Sequence, residues 1–300
     1  MLGVRQTADG GRRRVKKKAS SGTIGFLSTF LSFIVLLPAA VRAQESNGRI
    51  DPRGMTIETR FPAPAGFVRK EWPADSFAMH LRRLPLKPDG AAVRLFDGRT
   101  KPNPGVYVAV VDLPIGGHDL HQCADAVIRL RAEYLFSLGR FDDIRFRFSS
   151  GFQAEYGRWR RGERIMVRGN SVYWQRAAAP SRSYADFWKY LEKVFTYAGT
   201  ASLARELRGV PREDPEIGDV FIQPGHPGHA VIVVDAAVDR QTGRELFLLA
   251  QSYMPAQEIQ VLANPSDSGL SPWYEIGIGA GLRTPEWIFA AGDRKRFMEE

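Results

Sequence analysis

Two apolar runs of equal length flank a tight polar turn near the C-terminus. They are His229-Ala-Val-Ile-Val-Val-Asp235 and Glu245-Leu-Phe-Leu-Leu-Ala-Gln251, with Asp239-Arg-Gln-Thr-Gly243 between them. Each run has the length of a strand rather than a helix, and Asp and Gly mark the turn. The spacing predicts an antiparallel hairpin turning near residues 240–241, which sets position 229 against about 252. A strand over 217–222, a tight loop Pro224-Gly-His-Pro-Gly228 and a strand over 258–262 extend the pattern.

Helices are expected upstream. Asp75 or Ser76 can cap a helix running to about Leu84, with Phe77, Leu81 and Leu84 on one face. Val106–Leu113 reads as a buried strand and Pro114-Ile-Gly-Gly117 as a break. From Cys123 to Gly139, Ala124, Val127, Ile128, Leu135 and Leu138 repeat at helical spacing. Asp125 suits the positive helix start, and Arg129 and Glu133 are four residues apart. A further helix is predicted over 183–199. The Arg- and aromatic-rich stretch 156–174 reads as a polar surface packed on aromatic anchors rather than a nucleic-acid site. No repeat or low-complexity linker divides the chain. The expectation is one α+β domain over 61–300, with an antiparallel sheet and an N-terminal extension, after a flexible lead-in over 44–60.

The formal charge of +9 belongs mostly to the N-terminus. Residues 1–43 hold eight Lys/Arg and one acid, which leaves 34 bases against 32 acids beyond them. No nucleic-acid partner is expected. Those 43 residues have the form of a signal peptide: a basic stretch ending at Lys18, an apolar run over 24–37, Pro38, and Val41-Arg-Ala43 as a cleavage site. The run is shorter than the ~20 residues a spanning helix needs, so no stable membrane span is expected after cleavage. The expected location is secreted or periplasmic, in the cell envelope. The sequence has one cysteine, so an internal disulfide is excluded. Cys123 is therefore buried and inert, paired to another chain, or a reactive thiol.

Three residues suggest the last. Cys123 opens a helix, where orphan N–H groups and the helix dipole favour thiolate and can receive an oxyanion. His229 starts a strand just after a Gly/Pro loop. Gln251 ends the returning strand, within reach of the imidazole. Nucleophile, base and orienting group, in the order Cys…His…polar group on a helix and a hairpin, form a papain-like arrangement. Cys123, His229 and Gln251 are the expected catalytic residues of a cysteine amidase or peptidase that needs no cofactor. Gln122 and Asp119 are oxyanion or cap candidates; Tyr253 and Trp273 are candidate groove residues. Asp235 lies too far along its strand to orient His229. Two alternatives stay open. One is a non-catalytic secreted binding or envelope protein. The other is a hydrolase with a zinc site drawn from His118, His121, Cys123, His226 and His229, although no standard ligand spacing is present.

Several longer motifs carry a resemblance. Phe61-Pro-Ala-Pro-Ala-Gly-Phe67, Leu81-Arg-Arg-Leu-Pro-Leu86, Gln122-Cys-Ala-Asp-Ala-Val127, Arg131-Ala-Glu-Tyr134, Pro227–Asp235 and Ala250–Gln257 resemble a family of secreted bacterial proteins catalogued as domain of unknown function 4846. The resemblance runs from about Arg60 to Phe289 and brings no activity with it. Gly218-Asp219 with Gly228-His229-Ala-Val-Ile-Val-Val is separately similar to the NlpC/P60 amidases of papain-like fold. By analogy that similarity implies an amide substrate such as a peptidoglycan peptide, and it leaves the oxyanion donor unassigned.

Overall fold

A computed structural model of the chain describes residues 49–210, 215–275 and 281–298. The segment expected to be a signal peptide and the first residues of the expected lead-in lie outside the described residues. All described residues belong to one unit, Gln44–Glu300.

The helices in chain order are α1 (Ile57–Arg60), α2 (Phe77–Arg82), α3 (Cys123–Ser137), α4 (Tyr156–Arg160), α5 (Tyr184–Tyr197) and α6 (Thr200–Glu206). The first seven strands are β1 (Val68–Arg69), β2 (Tyr107–Val110), β3 (Arg145–Arg147), β4 (Gln153–Glu155), β5 (Glu163–Arg168), β6 (Ser171–Arg176) and β7 (Leu207–Gly209). There follow β8 (Val220–Gln223), β9 (His229–Val238), β10 (Glu245–Gln251), β11 (Gln260–Leu262), β12 (Tyr274–Glu275), β13 (Leu282–Arg283), β14 (Ile288–Phe289) and β15 (Arg294–Phe297). The fold is α+β. Among the described residues, nine strands join in one sheet with the path β2-β11-β10-β9-β8-β15-β7, and β1 and β12 pair onto β9 and β10. The strand pairs are antiparallel.

The β9–β10 hairpin is the centre of the sheet and is buried on both faces. Its register is not the simple one. Leu248 pairs with Asp235, but Leu249 pairs with Val233, so Val234 is an extra residue on β9. Ala250 then faces Ile232, and His229 is not opposite 252 as hairpin counting suggested. The turn lies one residue later than the count assumed, and the bulge shifts the pairing again.

α3 packs on β9 and β10. At its start the Gln122 backbone N–H donates to Asp125 Oδ2 at 3.0 Å, one half of a capping box. Gly139, at φ +69°, ends the helix in the left-handed conformation that glycine adopts without strain. The helix is buried around most of its circumference, not along one stripe. Val127, Ile128, Leu130 and Leu135 alone bury enough side chain to stabilise the fold by roughly 1.5–3 kcal/mol each. Such burial holds the cysteine end of α3 rigidly against the sheet.

The lead-in reaches less far than expected. From residue 49 the chain is built into the fold: Ile57, Arg60 and Phe61 are fully buried. Arg60 Nε donates to the Gly54 carbonyl at 2.7 Å, which anchors this segment. At the far end of β9, Asp235 accepts from Arg69 Nε at 2.8 Å and Arg82 Nε at 2.7 Å. This ion triad ties β1 and α2 to the central strand. In the 156–174 region, Arg158 stacks over Trp174 and Arg164 over Trp159, which makes it a braced surface of β5, β6 and α4. No helix among the described residues is long and apolar enough to cross a membrane.

Candidate functional site

Cys123 is the first residue of α3 and is half-buried. Ala126 N–H to Gln122 O is the first bond of the helix ladder, which leaves the Cys123 and Ala124 N–H groups at its open end. Those groups and the Ala230 N–H, one residue past His229, pull the thiol pKa down. Burial works against them more strongly, helped by the Asp125 carboxylate, and the thiol is pushed up to about 11. The thiolate expected from the helix dipole is therefore not the resting form; desolvation outweighs the dipole. Asp125 is itself pushed up to about 8 by burial, against the pull of the Gln122 and Asp125 backbone N–H groups. Its Oδ1 has no hydrogen-bond partner among the described residues.

His229 opens β9, and a glycine precedes it for a steric reason. A Cβ on Gly228 would come within 2.5 Å of Thr200 Oγ1, 2.7 Å of the Gly225 carbonyl oxygen and 2.9 Å of the Gln223 carbonyl oxygen. The Gly/Pro loop therefore folds tightly against the start of α6 and delivers His229 at the sheet rim. Its Nε2 lies 2.8 Å from Gln251 Oε1. Burial lowers the imidazole pKa to about 4; the Gln251 bond opposes this and the Lys101 charge adds to it. Both the thiol and the imidazole are uncharged at neutral pH.

A cleft of 490 Å³ takes in Cys123, His229, Asp125, Phe195, Tyr253 and Trp287. The Tyr253 and Trp287 rings lie 5.0 and 5.3 Å from the imidazole, centroid to centroid. Thus the elements bring Cys123 and His229 to one cleft, and Gln251 contacts the imidazole from behind. Asp119 and Gln122 also line the cleft, but their side chains are engaged with each other. Gln122 Nε2 donates to Asp119 Oδ1 at 3.1 Å, and the same oxygen accepts the Ala256 N–H at 2.7 Å. The pair clasps the loop before α3 to the loop after β10. Trp273 does not line the cleft. It is fully buried, with the Arg69 guanidinium 6.0 Å from its ring. Its place is taken by Trp287, whose Nε1 donates to Gln223 Oε1 at 2.9 Å.

Two further residues complete the surroundings of Gln251. Gln251 Nε2 donates to Glu286 Oε2 at 2.6 Å. Lys101 Nζ donates to both Glu286 oxygens, at 2.8 and 2.9 Å, and to Gln257 Oε1 at 2.9 Å. Sequence reasoning missed Glu286, Lys101 and Trp287, which come from the turn between β13 and β14 and from a loop before β2. Only the Glu286-Trp287 pairing of acid and aromatic hinted at more than a surface turn.

Of the other imidazoles named for a zinc site, His226 lines the cleft with Cys123 and His229, whereas His118 and His121 point to other partners. His118 is exposed beside Glu192 at 3.3 Å, and His121 is fully buried against the Gln257 carbonyl oxygen and Phe195. Among the described residues, no three His, Cys, Asp or Glu side chains form a group that could hold a metal ion.

The family comparison agrees with the extent of this fold. A family described as a domain of unknown function (4846) matches residues 57–296, and the chain belongs to that family. No curated protein matches the chain. No solved structure matches it either.

Proposed function

We propose that the protein is an exported cysteine hydrolase of papain-like arrangement that cleaves an amide bond, with peptidoglycan peptides as the substrate class. One observation carries this reading. A helix-initial cysteine and a strand-initial histidine line the same cleft, and the histidine is held at 2.8 Å by the amide oxygen of Gln251.

With both groups uncharged at rest, the thiol proton moves to the imidazole as the sulfur attacks the carbonyl carbon. The Sγ–C bond forms and the carbonyl oxygen takes up the negative charge beside the N–H groups that start α3. The imidazolium returns its proton to the leaving nitrogen as the C–N bond breaks. Water, deprotonated by His229, then hydrolyses the thioester and the thiol is restored. Tyr253 and Trp287 provide the apolar walls for the flanking substrate. The form of the N-terminal segment supports a cell-envelope location, and a mature chain starting near Gln44 follows from it.

The test is digestion of envelope peptidoglycan by the wild-type protein and by Cys123→Ser, with released peptides identified by mass spectrometry. Wild type should release amide-cleaved fragments that Cys123→Ser does not. Equal, empty digests would instead favour a binding protein that keeps the cleft without turnover. The uncharged resting thiol is the observation on that side.

A further inference from the structure

We propose that Glu286, held by Lys101, is a positioning residue that fixes which nitrogen of His229 carries the proton. The inference rests on His229 being the base of the proposed reaction, and it follows from hydrogen-bond polarity alone.

A glutamine amide has a donating end and an accepting end of nearly the same shape, so its partners decide which way it faces. Both Glu286 oxygens already accept from the Lys101 ammonium, at 2.8 and 2.9 Å. The carboxylate has only acceptor capacity left, so the group facing Oε2 at 2.6 Å must be the Gln251 NH2. The Gln251 carbonyl end is then committed to His229, at 2.8 Å from Nε2. An amide oxygen cannot donate, so His229 Nε2 must carry the hydrogen. In a neutral imidazole this leaves Nδ1 with the lone pair.

The lone pair is what a general base needs, and Nδ1 is the only nitrogen not already occupied by Gln251. A flipped amide would present its NH2 to Nε2, drive the proton onto Nδ1 and remove the base. Lys101 is what prevents the flip. Its side chain is 5% exposed, and its third donor goes to Gln257 Oε1 at 2.9 Å, which itself accepts from Gln260 Nε2 at 3.0 Å. The chain of polarity runs from a buried ammonium through a carboxylate and an amide to the imidazole, and each link has one permitted direction.

Nitrogen-15 NMR of histidine-labelled protein at pH 7 reads the tautomer directly, with His229 assigned by its loss in His229→Gln. The wild type should show a protonated Nε2 and an unprotonated Nδ1. In Glu286→Gln the carboxylate becomes an amide that can face either way, and the Nδ1–H tautomer of His229 should rise several-fold. Lys101→Met/Glu286→Gln, which leaves no unpaired ammonium, serves where the single variant fails to fold. In whichever variant folds, kcat should fall by on the order of 10–100-fold with KM little changed. A wild-type Nδ1–H tautomer overturns the proposal, as does a folded variant whose tautomer matches that of wild type. The tautomer is measured without substrate, so an inactive wild-type protein with the predicted tautomer would sink the hydrolase reading and leave the positioning role standing.

Discussion

His229 and Gln251 share a face of the sheet because Val234, between them, has no partner. With Ala250 opposite Ile232, Gln251 is the diagonal neighbour of His229, on the same side of the pleat. Continued without the bulge, the pairing of Leu248 with Asp235 would carry Gln251 to the opposite face, since one residue of slip inverts every side chain. Ser252 occupies that other face, where its hydroxyl donates toward the His121 and Gln257 carbonyl oxygens.

Gln251→Ala should lower kcat by on the order of 10–100-fold on the substrate that wild type cleaves, with a smaller loss than His229→Ala. The neutral amide orients the imidazole and does not share its charge. Equal losses from the two substitutions would show that Gln251 does more than orient.

Much of this arrangement was legible in the chain. The apolar run 229–235 and the turn at 239–243 specify a hairpin, and Ser76 and Gly139 mark where α2 begins and α3 ends. The bulge was not legible. Val231 to Val234 is apolar at every position, so no polar residue marks the face on which the register slips. Glu286 and Lys101 were invisible for a different reason. They are 185 residues apart in sequence and meet only through the fold. The thiol's charge state was misjudged because a helix start is readable in sequence, whereas the burial that overrides it is a property of packing. Trp273 was misplaced on the same ground: an exposed groove aromatic and a buried core aromatic look alike in sequence.

Asp125→Asn should reveal a pH-dependent stability cost of the buried carboxyl beside the thiol. The fold holds Asp125 neutral up to about pH 8, whereas the unfolded chain ionises it near 3.8. Between those values the unfolded state binds fewer protons, so this group costs stability progressively as pH rises. The asparagine keeps an oxygen for the Gln122 N–H and removes that cost. The Tm difference between variant and wild type should be near zero at pH 4 and grow in favour of the variant toward pH 8. A difference independent of pH would contradict the neutral carboxyl.

Gly228→Ala should destabilise the protein by about 1–3 kcal/mol, the usual cost of overpacking, and displace His229. Thr200→Ala should not rescue it, because the Gly225 and Gln223 carbonyl oxygens still block the added methyl. Thermal melts of the single and double variants check this. Full rescue would place the constraint in the threonine side chain alone.

Asp235→Ala should cost about 3–5 kcal/mol in urea unfolding, since it leaves the buried Arg82 and the largely buried Arg69 without their shared carboxylate. The loss is one of stability; the residue stands at the opposite end of β9 from the cleft. A variant of wild-type stability would mean that the ion triad is solvated in solution.

Covalent capture at Cys123 tests the proposed chemistry most directly. Wild-type protein is mixed with peptidoglycan peptides, quenched in acid at short times and digested for mass spectrometry. The fragment carrying Cys123 should gain the mass of an acyl group, which decays as product accumulates. The acyl group should be absent in Cys123→Ser, a variant that folds within about 1 kcal/mol of wild type. Amide cleavage that persists in Cys123→Ser, or proceeds in wild type with no acyl group ever on Cys123, would contradict the assignment of this thiol as nucleophile.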